Sequence, residues 1–130
     1  MFTLFFPSKC ILCRSLLESN ETDLCHDCRA NAPELIRAKR NIPFVAHWTA
    51  LWYYKDDVRR SILRYKFRGS RGYCQSYGRL LAMKLLQEEI SFDLLTWAPI
   101  SRRRKWSRGY DQVELIARQA GMELQQEPVR

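Results

Sequence analysis

Apolar positions along this chain recur with two periods, one helical and one extended. Val58, Ile62 and Tyr65 share one face of a segment from Asp57 to Lys66. Asp56 and Asp57 open it, where carboxylates offset the positive end of a helix. A second helix is expected over Tyr73 to Glu89, with Tyr77, Leu80, Leu81 and Leu85 on one stripe. The breaker Arg68-Gly69-Ser70-Arg71-Gly72 separates the two. A third runs from Asp111 to Ala120, with Val113, Ile116, Ala117 and Ala120 inward and Gly121 as its C-cap. Between these, Phe44 to Tyr54 is rich in aromatic and β-branched residues and suits one or two strands. Leu94 to Ala98 reads as a short buried strand stopped by Pro99. Asn31 to Arg40 holds only Leu35 and Ile36 as large apolar residues, with Pro33 at a helix start, and leads to a linker ending near Pro43. The pattern sets a module boundary there: residues 1–43, then 44–130.

Cysteine spacing changes the picture of the first module. Cys10, Cys13, Cys25 and Cys28 form two Cys-x2-Cys pairs. Each pair lets two thiolates reach one ion from a tight turn, and the two together complete a tetrahedral four-sulfur shell. Such a shell leaves no position for water, so its zinc stabilises and does not catalyse. His26 lies within the second pair but is surplus to a closed shell. Phe2, Leu4, Phe5 and Phe6 are expected to pack against this module, which is too small for much core of its own. Cys74 reads as a small core residue and His47 as a packed or partly exposed side chain, neither as a reactive group.

The net charge of +8 on 130 residues points to polyanionic partners. Four thiolates and one zinc ion remove two charges between them and leave about +6. The charge is concentrated after Pro99, in Arg102, Arg103, Arg104, Lys105 and Arg108. A strand, a basic loop containing Gly109, and a helix would suit phosphate through guanidinium groups, inward N–H groups and a helix N-terminus. A solvated basic turn is the competing reading. No run approaches the roughly 18 apolar residues of a membrane span, and MFTLFFPS lacks the basic n-region and cleavage site of a secretory signal. Cytoplasmic placement follows as an expectation, and no membrane partner is expected.

Four features stand in one order: the four-cysteine module, Tyr65-Lys66-Phe67-Arg68-Gly69, Ala98-Pro99-Ile100, and Arg104-x3-Arg108-Gly109-Tyr110-Asp111-Gln112. Together they resemble the ComF family, competence-associated proteins joining a zinc ribbon to a phosphoribosyltransferase-like domain. The resemblance implies an α/β fold: a zinc ribbon followed by the incomplete N-terminal part of a doubly wound domain. It implies that Arg104, Arg108 and Gly109 form part of a pyrophosphate-side loop, with no residue acting as an acid–base catalyst. Asp111 departs from the more usual Asn. The acidic pair and Thr- and Gly-rich loop that engage ribose hydroxyls and 5-phosphate are missing, and Asp56-Asp57-Val58 does not supply them. The expectation is therefore a truncated chain, inactive alone as a phosphoribosyltransferase. A phosphorylated ribose substrate and Mg would belong only to an intact domain. The other function expected is a basic zinc-containing module for single-stranded DNA or for a helicase-like DNA-uptake partner. Trp97 and Trp106, near the arginines, motivate it, although Trp97 falls in the expected strand.

Overall fold

Among the described residues the regular elements are helices. A computed structural model describes residues 8–36, 40–126 and 128–129. It contains α1 (His26–Asn31), α2 (Asp56–Phe67), α3 (Tyr73–Gln87), α4 (Arg102–Arg108) and α5 (Gln112–Leu124). The chain divides into two compact units, Met1–Ile62 and Leu63–Arg130, with the division falling inside α2. Phe2, Leu4, Phe5 and Phe6 lie outside the described residues, as do Arg37 and Lys39.

The α/β class is overturned. Among the described residues there is no β-strand, only isolated bridges from Lys9 to Leu16 and from Glu34 to Trp52. A strand needs a neighbour to satisfy its alternating N–H and C=O groups, and a β-rich composition does not provide one. In the segment Phe44 to Tyr54, pairing stops at Leu35 N–H to Leu51 O (3.2 Å) and Tyr53 N–H to Pro33 O (2.8 Å). At Leu94 to Ala98 the bond crossing to another segment is Val129 N–H to Leu95 O, 2.8 Å. No sheet forms, so neither a zinc ribbon nor a doubly wound domain is present among the described residues. The expected helix after Asn31 is also displaced: α1 ends at Asn31, and Pro33 to Ile36 is not helical.

In the first unit, Val58 and Ser61 are buried one turn apart on α2, and Leu12, Leu24 and Leu35 complete the small apolar interior. The second unit is built on α3 against α5. Small buried residues mark their contact, Gly78 and Ala82 on α3 and Ala117 and Ala120 on α5, with Gly78 beside Gln119 and Ala120. A Cβ on Gly78 would stand 2.4 Å from Gln119 Cβ, so glycine is what permits the two helices to approach. Tyr77, Leu80 and Lys84 form the buried stripe of α3, and Lys84 Nζ reaches Glu88 Oε1 at 3.2 Å. Three tyrosines extend this core. Tyr65 lies 5.6 Å from Tyr77 and 5.7 Å from Tyr110, ring to ring. Tyr65 Oη donates to Gln112 O at 2.7 Å, and Tyr110 Oη donates to Tyr65 O.

Two boundaries differ from the sequence reading. Helix α5 runs through Gly121 and ends at Gln125, which takes the left-handed conformation (φ 55°). Gly121 serves packing instead of capping: a Cβ there would meet Gln126 O at 2.3 Å. The basic stretch expected as a loop is helix α4. Among the described residues no helix is long and apolar enough to cross a membrane.

Candidate metal centre and basic helix

The cysteine site begins with two tight turns. Arg14 N–H bonds Cys10 O at 2.9 Å and Cys10 N–H bonds Ser15 O at 2.8 Å, closing the first turn with Arg14 in the left-handed region (φ 68°). The second pair sits at the start of α1. Cys25 is its N-cap, and Cys28 N–H points at Cys25 Sγ, 3.5 Å away. Ile11 N–H to Asp23 O, 3.0 Å, holds the first turn against the loop carrying the second pair. Glu21 fixes that loop too, accepting from His26 N–H at 2.6 Å and Glu18 N–H at 2.8 Å. Those two bonds hold its carboxyl below the usual range.

The four sulfurs lie within 4.8 Å of one another, and Cys13 Sγ stands 3.6 Å from Cys25 Sγ. A tetrahedron with Zn–S of about 2.3 Å places sulfurs about 3.8 Å apart, so the cluster has the dimensions of a zinc shell. Its acid–base behaviour states the same need. Burial opposes ionisation of Cys13, but hydrogen bonding with Ser15 and the neighbouring thiols outweighs it and lowers the pKa to about 7. Burial, then the adjoining Cys13, Cys25 and Cys10, pushes Cys28 well up. For Cys25 the Cys28 N–H favours the thiolate, yet burial and the crowding thiols raise it on balance. Thiols packed this closely cannot all ionise without a countercharge, and a divalent soft cation supplies it. Cys10, Cys13, Cys25 and Cys28 are thus a structural zinc site. His26 is exposed and stands outside the cluster.

The second candidate is α4. Ser101 caps it, its Oγ accepting from Arg104 N–H at 3.3 Å, and Gly109 ends it in the left-handed conformation (φ 78°). Gly109 N–H bonds Lys105 O at 2.8 Å. The N–H groups of Arg104, Lys105 and Gly109 are thus engaged in the helix and its caps instead of turning inward as a loop. Of the residues expected at a phosphate, Arg104 is exposed in the first turn, Arg108 closes the last, and Gly109 is the cap. Asp111 begins the next helix, with Oδ1 accepting from Val113 N–H and Glu114 N–H, both at 3.2 Å, and Oδ2 from Ile100 N–H at 3.4 Å. A carboxylate suits this place because every partner is a donor.

The two tryptophans part company. Trp97 is 8% exposed and lies under the Arg118 guanidinium, 5.6 Å from the ring centre. Trp106 is 91% exposed on α4. Among the described residues no carboxylate pairs with Arg102, Arg103, Arg104 or Lys105. Arg108 lies over the ring of Phe67 at 5.0 Å, and Arg71 over Tyr110 at 5.7 Å. Sequence reasoning did not find these cation–π pairs, because nothing local joins residues so far apart in the chain. Cys74 is half-buried on α3, and burial raises its thiol, in keeping with an inert side chain.

Compared with protein-family models, curated proteins and solved structures, this chain matches none. The resemblance to ComF is thereby corrected. Its short motifs are present, but no family model matches the chain, and among the described residues there is no sheet to carry a phosphoribosyltransferase-like site. What the residues do show is a four-cysteine zinc site and a highly basic helix.

Proposed function

We propose that this protein is a zinc-stabilised binding module for single-stranded nucleic acid, with α4 as its contact surface. The observation that carries the reading is Trp106, a large aromatic held almost wholly in solvent on a two-turn helix with five cationic side chains. Exposing an indole has a solvation cost that a monomeric fold gains nothing by keeping. On a helix, Trp106 shares a face with Arg102 and Arg103, which precede it by four and three positions. An indole plane flanked by guanidinium groups offers a base something to stack on and its phosphates something to pair with. Arg104 and Arg108, four positions apart, fall on another face, and the Arg108 guanidinium lies over Phe67. Duplex DNA fits less well, since its bases are already stacked and would have to be unpaired to reach the indole.

Zinc supplies fold and not chemistry here, because four thiolates close its shell. A cytosolic location accords with this reading, since thiol ligands persist where the compartment is reducing.

The test is fluorescence titration of the zinc-loaded chain with oligo-dT and oligo-rU. Stacking on Trp106 is expected to quench emission, and Trp106→Ala to weaken binding by about 1–3 kcal/mol. Affinity should fall as salt rises, with a logarithmic slope of about −0.7 per phosphate engaged. Binding that ignores salt, or is untouched by Trp106→Ala, would overturn the proposal.

A further inference from the structure

The four cysteines meet solvent unequally. Cys10 is wholly buried, Cys25 and Cys28 are half-buried, and Cys13 is exposed. A cavity of about 380 Å³ is lined by Cys13, Cys25 and Cys28, and Cys10 does not line it. Its wall also carries Asp27, Asp56 and Asp57, which would repel an anionic oxidant and leave a neutral one free to enter. Cys13 and Cys25 are the pair whose sulfurs stand 3.6 Å apart, one across from the other on the two turns.

We propose that Cys13 is an oxidation site, at which hydrogen peroxide joins Cys13 to Cys25 and expels the zinc ion. The steps balance as follows. The Cys13 thiolate donates an electron pair to one peroxide oxygen, an S–O bond forms, the O–O bond breaks, and hydroxide leaves to be protonated to water. The Cys25 thiolate then attacks Cys13 Sγ, an S–S bond forms, the S–O bond breaks, and a second hydroxide leaves as water. Two thiolates are oxidised and one peroxide is reduced, with two protons taken from solvent. Zinc loses two of its four ligands, and the remaining pair, Cys10 and Cys28, cannot complete a shell. To form the bond the two sulfurs close from 3.6 Å to about 2.0 Å. A thiol reductant reverses the change and restores the site.

This inference does not rest on nucleic-acid binding. The experiment starts from the full chain carrying Cys74→Ser, so that the four ligands are the thiols left, and from a measured zinc content of about one per chain. Peroxide is added, zinc release is followed with a chromophoric chelator, and the disulfide is mapped by peptide mass spectrometry. The expected result is stoichiometric release with a Cys13–Cys25 linkage, and reloading after dithiothreitol. A Cys13→His substitution keeps a nitrogen ligand of the kind found in three-cysteine, one-histidine sites but cannot form the bond, and release should slow about tenfold or more. Zinc kept under excess peroxide, or released with Cys10 in the linkage, overturns the proposal. Release from Cys13→His at the unsubstituted rate overturns it equally. Should Cys13→His fail to load, the mapped linkage in the Cys74→Ser chain alone decides.

Discussion

The cysteine cluster and helix α4 handle concentrated charge in opposite ways. At the cluster, four groups that would be anionic are packed into contact, and the arrangement demands a cation before it is stable. On α4, five cationic groups stand in two turns without a carboxylate partner among the described residues, yet the helix is held by neutral caps at both ends. One region uses its charge to acquire structure. The other has its structure already and leaves its charge unspent, which is what an interaction surface requires. Bound zinc and bound polyanion should therefore have separable effects, the first on folding and the second on affinity.

The largest effect expected is loss of zinc. Structural zinc is worth about 10 kcal/mol or more in small modules, so chelation or Cys10→Ala should unfold the first unit. Hydrogen exchange by residue is the measurement: amides of residues 8–36 should lose protection while those of α3 and α5 keep it. Simultaneous loss in both would break the comparison. Zinc affinity should also rise with pH, because the raised thiols of Cys25 and Cys28 must shed protons to bind the ion. Calorimetry in buffers of different ionisation enthalpy reports that release. Next in size are two changes in the core of the second unit. Gly78→Ala forces α3 away from Gln119 and should cost about 1–3 kcal/mol in a denaturant melt. Tyr65→Phe removes the donor to the buried Gln112 carbonyl and should cost about 1–3 kcal/mol. Trp106→Ala, by contrast, should leave the melting temperature unchanged while weakening oligonucleotide binding, because its side chain is almost entirely in water.

The smallest effect is at Glu21. Its folded pKa is depressed, so whatever stability it adds is present above its unfolded pKa and disappears as pH falls through the lowered folded value. NMR titration of the Glu18 and His26 amides should track that protonation below the ordinary carboxylate range. A midpoint at or above the ordinary value would remove Glu21 from the forces shaping the cysteine loop.

How far these two regions could be read in advance depended on where their information sits. The zinc site was legible because its ligand spacing is itself the mechanism: two residues between thiolates bring both to one ion. Helices α2, α3 and α5 were legible because each writes its buried face at a period near 3.6, as Val58, Tyr77, Leu80 and Ala117 do. Helix α4 has no buried residue and so no stripe to read. Its local signals are the capping residues Ser101 and Gly109, on either side of a run of arginines that carries no helical period. The segments Phe44 to Tyr54 and Leu94 to Ala98 went wrong for a different reason. Their composition records only what each residue tolerates, whereas a sheet depends on a partner elsewhere in the chain. The short motifs shared with ComF proteins mark particular residues, but they cannot by themselves stand for a sheet.

One carboxylate has a broader consequence. Asp111 reaches back to Ile100 N–H while capping α5, so the backbone leaves and returns at nearly the same point, with α4 as the excursion between. A segment whose two ends are clasped in this way behaves as a cassette. Its exposed positions from Arg102 to Ser107 are open to replacement, reversal of charge or grafting, provided the caps Ser101 and Gly109, Asp111 and the Tyr110 anchor remain, without requiring the adjoining α3–α5 pair to be redesigned.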